Sequence, residues 1–224
     1  MSFKWICIYI SSIAILFPMI VGIIKINYFT KPLRTIYIAI IIALILEILS
    51  WVMPFLTGSN HWAFNVLNVF EFSLLAFFYY QLAENKRLKK WMLFITTFFT
   101  LFFLSFYILH LEVLNRYNSL VNSLICLLLT IFSLGYFYQL LLYPKTDKIS
   151  EYPYFWITVA VLLNFSGNFF LTLFIEFMLF GTKDKSLSQL VIINYILLFV
   201  FRFFLGLGLL YSRTLNKLEK IVDF

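Results

Sequence analysis

A chain of 224 residues would form one domain or two small ones in water, but its composition excludes a water-soluble fold. Hydrophobic residues make up 63% and charged residues 12%, against roughly 45–50% and about 25% in ordinary globular chains. Helices that are apolar on every face are membrane spans or the core of a very large protein, so at this length a membrane protein is predicted. The net charge of +7 does not indicate nucleic-acid binding, because the Lys and Arg residues lie almost entirely in short loops, where membrane topology explains them.

Seven apolar segments follow one another, and nearly all have the roughly 20 residues that a bilayer crossing requires. They cover residues 5–24, 36–56, 62–82, 91–109, 117–142, 154–180 and 187–211. Because backbone hydrogen bonds must be satisfied within lipid, each segment is expected to be a helix. The sequence therefore predicts an all-α polytopic membrane protein, a single seven-helix domain over residues 1–224 with a short tail at 212–224.

The loops predict the orientation of these helices. The amino terminus and the even-numbered loops hold four basic residues, whereas the odd-numbered loops and the tail hold twelve. Loops rich in Lys and Arg stay on the cytoplasmic side. We therefore expect the amino terminus outside and the carboxyl-terminal tail in the cytoplasm.

A faint internal repeat links the third and seventh segments. Val69-Phe70-Glu71-Phe72 can be laid on Val200-Phe201-Arg202-Phe203, and the same register pairs Tyr80 with Tyr211. Both segments run from outside to inside, which suits a parallel three-plus-one-plus-three arrangement of the kind that some transporters use. Chance agreement between strings rich in Phe and Leu is the alternative.

The third segment carries Asn65, Asn68 and Glu71 at successive steps of three, close to one helical face. An ionisable group inside a span costs roughly 3 kcal/mol or more unless it faces a partner or water. This face is therefore expected to point into a protein interior that the other six segments supply.

Polar residues in the other segments lie mainly from the middle of the membrane toward its outer face. The set assigned to the interior is Glu47, Asn65, Asn68, Glu71, Asn118, Asn122, Asn164, Asn168, Thr172, Glu176, Asn194 and Arg202. This distribution predicts a polar cavity open to the outside. For any single Asn the alternative is that it only joins two helices, with each such bond worth about 0.6 kcal/mol.

Arg202 is the most informative of these residues. Arginine stays protonated in proteins, so near the middle of a span it needs a carboxylate or water. Glu71 is the preferred partner, because both residues have similar depth on helices that run the same way, and Glu47 is the rival. The acid left unpaired would be neutral, since desolvation disfavours its charge. A purely structural ion pair is the alternative to a site for a ligand, a proton or an ion.

Several chemistries find no residues to carry them. The seventh segment has no lysine for a retinal Schiff base, and His61 and His110 lie at segment ends without a zinc-binding pattern. Neither a hydrolase nucleophile elbow nor a phosphate-binding loop is present in the sequence. We therefore predict no catalytic residues, metal or cofactor. An intramembrane hydrolase using Glu47 and Glu71 is kept as a remote alternative.

Two stretches carry a family resemblance, residues 64–80 (FNVLNVFEFSLLAFFYY) and 155–170 (FWITVAVLLNFSGNFF). They resemble segments of small seven-helix membrane proteins of Bacteroidota. The resemblance implies a seven-helix bundle in a bacterial inner membrane. It implies no activity, because that family has no established function.

These patterns favour a membrane sensor that binds a small ligand in the outward-facing cavity and relays the change to a cytoplasmic signalling protein. Its docking surface would comprise Lys86, Arg87, Lys89, Lys90, Arg213, Lys217 and Lys220. Attraction to anionic lipid is the alternative role of these charges. The second functional class is a small-solute or proton-coupled transporter, which needs polar access from both sides where a sensor needs one. Membrane lipid is an expected partner, and nucleic acid is not expected to bind. Association with a second copy of the chain is left open.

Overall fold

A computed structural model describes residues 3–57, 61–110, 118–144, 146, 148–181 and 186–215, and within these ranges it does not describe the side chains of residues 56–57, 174–181 and 186–188. All regular elements of the described residues are helices, and seven spans are long and apolar enough to cross a membrane. The all-α, multi-pass prediction is thereby confirmed. The orientation in the membrane and the internal repeat stay predictions.

The first span consists of two consecutive helices, Phe3–Ala14 and Leu16–Lys25, and a 3-10 turn at Ile26–Tyr28. The second to seventh spans are Lys31–Thr57, His61–Leu82, Lys86–Leu109, Ser119–Leu142, Pro153–Gly181 and Ser186–Leu210. The second and fourth begin five residues before the predicted apolar segments, because charged residues wind into helix ahead of the apolar stretch. Asn85 starts the fourth span by accepting hydrogen bonds from the amides of Arg87 (2.9 Å) and Leu88 (3.4 Å).

The break in the first span follows from Pro18. Proline has no amide hydrogen to bond the carbonyl of Ala14, and its ring crowds that carbonyl. The helix ends at Ala14, and the amide of Ile15 donates to the carbonyl of Ser12 at 3.4 Å, three residues back. The carbonyl of Ser11 is thereby left without the amide that a continuous helix would supply.

Six of the spans form a closed ring. The second packs on the third, the third on the fifth, the fifth on the sixth and the sixth on the seventh. The seventh packs on both helices of the first, and Leu16–Lys25 of the first packs back on the second. The fourth span lies on the outside of the third. Sequence order alone would not predict that the third and fifth spans are neighbours.

Two glycines bring the seventh span close to its neighbours. A Cβ atom added to Gly206 would collide with the ring of Phe17 in the first span. A Cβ atom at Gly208 would lie 2.6 Å from Cγ1 of Ile157 and 3.0 Å from the carbonyl oxygen of Pro153, both in the sixth span. Small residues at such contacts let helix backbones approach closely inside a membrane. The seventh span is therefore held between the first and the sixth.

One end of the bundle gathers the odd-numbered loops, and we call it the basic end. The hydroxyl groups of Thr30 and Tyr154 lie 2.6 Å apart and join the first loop to the sixth span. The hydroxyl of Thr214, beyond the seventh span, donates to the carbonyl of Glu151 in the fifth loop at 2.9 Å. The charged start of the fourth span, at Lys86, belongs to the same end.

Near the basic end the core is filled by an aromatic layer, which comprises Phe78, Tyr79, Tyr136 and Tyr154. Phe78 packs edge-on against Tyr154 with ring centroids 5.8 Å apart, and Tyr79 lies 6.0 Å from Tyr136. None of the four side chains is more than 5% exposed. The third, fifth and sixth spans are thus sealed together on this side of the bundle.

Candidate functional site

Arg202 and Glu47 form an ion pair inside the ring of spans, where the second and seventh spans meet beside the first. Nη1 of Arg202 donates to Oε1 of Glu47 at 3.2 Å, and Nη2 donates to Oε2. Their side chains are only 7% and 13% exposed. Two parallel bonds to one carboxylate give the strong, geometrically specific form of this pair. The preferred sequence prediction, which paired Arg202 with Glu71, is therefore wrong, and its rival is confirmed.

The guanidinium has a third partner in the first span. Nη1 of Arg202 also donates to the backbone carbonyl of Ser11, the carbonyl that the break before Pro18 leaves free. Arg202 consequently joins the first, second and seventh spans through one side chain. Sequence reasoning missed Ser11, although Pro18 inside an apolar segment was the available signal.

Helix neighbourhood, and not depth, decides which acid Arg202 binds. Nε2 of Gln81 donates to Oγ1 of Thr35 at 3.0 Å and fixes the register of the antiparallel second and third spans. Glu47 lies twelve residues after Thr35, and Val69 lies twelve residues before Gln81, so Glu47 and Val69 are at the same height. Glu71 is two residues from Val69, so it differs in height from Glu47 by about 3 Å at 1.5 Å per residue. The second span adjoins the first, which adjoins the seventh, whereas the ring neighbours of the third are the second and fifth.

Glu71 occupies the same height, and no described residue forms a close pair with it. It is half-buried, and among the described residues no hydrogen bond or close ion pair reaches its carboxyl group. Arg202 attracts it electrostatically from the seventh span. The buried thiol of Cys126 in the fifth span is also close to it, and the negative charge of Glu71 opposes ionisation of that thiol. A free acid in this position is the kind of group that marks a functional site in a membrane protein.

The contacts between the fifth and its neighbouring spans extend this layer to the sixth. The third and fifth spans are aligned by the hydrogen bond between Asn68 and Asn122 and by the ring contact between Tyr79 and Tyr136. This alignment places Cys126 level with Glu71. The contact between Ser123 and Thr172, at 2.9 Å, then places Asn168 level with Cys126. Together these contacts place polar groups from the third, fifth and sixth spans at one height in the bundle.

Asn168 brings an unsatisfied acceptor to this height. Its Nδ2 donates to Oδ1 of Asn164 at 3.0 Å, while its own Oδ1 is buried and accepts no hydrogen bond from any described residue. The ring contact between Phe165 and Phe201, at 5.9 Å, puts Asn164 at the height of Arg202. We call Glu47, Glu71, Asn164, Asn168 and Arg202 the central polar layer.

Polar residues farther from the basic end join helices to one another. Nδ2 of Asn68 donates to Oδ1 of Asn122 at 2.6 Å, which links the third and fifth spans. Ser123 and Thr172 link the fifth and sixth. Asn118 precedes the fifth span and caps it, since its Oδ1 accepts from the amide of Val121 at 3.1 Å. For Asn68, Asn122 and Thr172 the helix-joining role weighed in the sequence has direct geometric support, whereas Asn118 stabilises the start of its own helix.

The remaining predicted site residues are placed less centrally. Asn65 is 2% exposed and has an interaction partner. Asn194 is half-buried and makes no hydrogen bond to a described residue. Tyr195, which sequence reasoning did not single out, interacts electrostatically with Glu47 and Arg202. The side chain of Glu176 lies outside the described residues. The outward-facing cavity itself stays a prediction.

Several of the predicted docking residues are visible at the basic end. Lys86, Arg87 and Lys90 are exposed in the first turn of the fourth span, which carries no acidic residue there. The ammonium of Lys89 lies 5.0 Å from the centre of the Tyr80 ring, and the guanidinium of Arg213 lies 6.0 Å from that of Tyr28. Lys217 and Lys220 lie outside the described residues.

The fold and this layer define the class of the molecule, a multi-pass helical membrane protein with an ionisable centre inside its bundle. No family model, curated protein or solved structure matched the chain in the comparisons. The central polar layer is therefore the feature of this chain that bears most directly on its function.

Proposed function

We propose that the chain is a membrane-embedded sensor of a bacterial inner membrane. A small ligand enters from the outside, binds at the central polar layer and changes the packing that reaches the cytoplasmic basic end. One observation carries the proposal: the buried aromatic layer lies between the charged layer inside the bundle and the basic end. Ionisable residues are rare within spans and mark sites for ligands, ions or protons.

The sealed side distinguishes sensing from transport. A transporter must open a polar path to each face in turn, with its site near the middle of the membrane. Here Phe78, Tyr79 and Tyr136 are at most 5% exposed, and Leu209 and Ile157 close the same side from the seventh and sixth spans with no exposed area. A binding site reached from one side suits a receptor. Transport is the second candidate. It is favoured by Glu71, an acid inside the bundle that no described residue pairs at contact distance.

Arg202 supplies the route by which binding would be relayed. Its contacts to Glu47 and to Ser11 hold the helix Phe3–Ala14 against the second and seventh spans. A ligand that competes for Arg202 or Glu47 would weaken this three-way contact. The seventh span continues to Arg213 and Thr214 at the basic end, where the exposed Lys86, Arg87 and Lys90 would meet a cytoplasmic partner or anionic lipid.

Sidedness of access tests the proposal. In a background with Cys7→Ser and Cys126→Ser, Asn168→Cys should react with a membrane-impermeant thiol reagent from the outside of sealed vesicles and not from the inside. Ser133→Cys is the matched control, because Ser133 is fully buried nearer the basic end and should resist the reagent from either side. Ser150→Cys, exposed in the fifth loop, should react only from the cytoplasmic side.

Labelling is measured as the fraction of each variant modified after a fixed time. Reaction of Asn168→Cys from both sides would favour the transporter, and resistance from both sides would remove the polar access on which either function depends. Labelling of Ser150→Cys from the outside would reverse the proposed orientation.

A further inference from the structure

We propose that Glu71 is a proton-binding site and that its proton controls which acid holds Arg202. This deepens the proposed function by naming the proton as one input to the site. The role of the proton as an input signal rests on the sensor proposal. Proton binding at Glu71 does not, because it can be measured whether or not the protein signals.

Charge balance within the central polar layer carries the first step. The guanidinium of Arg202 and the carboxylate of Glu47 neutralise each other through two hydrogen bonds. An ionised Glu71 would add one negative charge that no described residue pairs at contact distance. Within a membrane span, such a charge is costly and a bound proton removes the cost.

The groups around Glu71 provide no further positive charge among the described residues, so a bound proton is what neutralises its carboxylate. From the second span, Glu47 faces the same region with its charge already paired. From the fifth, the buried Cys126 offers a thiol, which is a weak hydrogen-bond donor. The fourth span carries no charged residue between Trp91 and Leu109. Arg202 of the seventh span is thus the one cation among the described residues that acts on Glu71.

Hydrogen-bond chemistry gives a second, independent argument. A carboxylate only accepts hydrogen bonds, whereas a neutral carboxyl group also donates one. The Oδ1 atom of Asn168, level with Glu71, is a buried acceptor to which no described residue donates. A protonated Glu71 supplies the missing donor to this layer, directly or through a water molecule. An ionised Glu71 can only accept hydrogen bonds, so it would supply no donor for the buried Oδ1 of Asn168.

Loss of the proton would alter the contacts of Arg202. When the O–H bond of Glu71 breaks, the proton leaves to water and both bonding electrons stay on the carboxylate. This carboxylate, within about 3 Å of the height of Glu47, then competes for the guanidinium. Any movement of Arg202 toward the third span pulls it from Glu47 and from the carbonyl of Ser11, which frees the helix Phe3–Ala14.

Infrared difference spectroscopy of the purified protein in vesicles tests this by counting neutral carboxyl groups. At neutral pH, the wild type should show a carboxylic-acid carbonyl band that Glu71→Gln lacks and that disappears as the pH is raised. Glu47→Gln should lack the band too, because Glu71 then ionises to pair with Arg202. Arg202→Gln should show about twice the intensity, since both acids are then neutral.

Glutamine mimics the neutral acid in shape, so Glu71→Gln should keep the wild-type thermal midpoint at acidic pH. If that variant does not fold, Glu71→Asp provides the comparison, because its band should shift in frequency and in titration midpoint. A wild-type band that persists in Glu71→Gln, or the absence of any such band at neutral pH, would overturn the proposal. Loss of one-sided labelling at Asn168→Cys would refute the sensor and leave this band unchanged.

Discussion

The variant Glu47→Leu/Glu71→Gln should lose about 3–5 kcal/mol of folding free energy, because it strands a buried guanidinium. Arg202 cannot shed its proton at any accessible pH, and the carbonyl of Ser11 is then its one remaining hydrogen-bond partner among the described residues. Thermal unfolding in detergent, monitored by helical circular dichroism, measures the loss.

The single variants are the matched controls for this result. Glu71→Gln should behave almost like the wild type, since the amide resembles a neutral carboxyl group. Glu47→Gln should have an intermediate stability, because Glu71 can then ionise and partly replace Glu47 as the partner of Arg202. Equal stability of Glu71→Gln and the double variant would show that Glu47 does not hold Arg202.

Gly208→Ala should produce the second large effect. Its new methyl group would meet the carbonyl oxygen of Pro153 at 3.0 Å and Cγ1 of Ile157 at 2.6 Å. The backbone oxygen cannot rotate away, so the seventh span must move from the sixth. Overpacking of this kind costs typically about 1–3 kcal/mol, and it should appear as a lower thermal midpoint.

Gly135→Ala is the control for helix propensity. No atom of the described residues lies within 4 Å of a Cβ atom at Gly135, so this variant should keep or gain stability, by up to about 1 kcal/mol. If Gly208→Ala were as stable as Gly135→Ala, the close approach of the sixth and seventh spans would be disproved.

The seven spans were predictable because the cost of leaving backbone groups unpaired in lipid makes long apolar segments helical. The starts of the second and fourth spans were placed late, since charged residues such as Lys31 and Lys86 extend helices beyond the apolar stretch. Two local features were readable but missed. Pro18 signals the break after Ala14, and Asn118 before an apolar segment signals a helix cap.

The partner of Arg202 was not predictable from depth. Glu47 and Glu71 lie within two residues of one height, and only the closed ring places the second span nearer the seventh. Neighbourhood of helices depends on packing between distant parts of the chain, to which single-sequence periodicity gives no access. The same reason hid the position of the fourth span outside the ring and the pairing of Asn68 with Asn122.

A double-mutant cycle between Arg202 and Glu47 tests the central claim most directly. It is best measured in the Glu71→Gln background, where no second acid can replace Glu47. Glu47→Leu should be strongly destabilising there, because Arg202 cannot lose its charge. Arg202→Leu should be destabilising to a smaller extent, because Glu47 can take up a proton but is left without its hydrogen-bond partner. The combination should recover much of the loss, because no polar group of the pair is then stranded. Losses that simply add would contradict the account, since they would show that Arg202 and Glu47 do not meet inside the ring of spans.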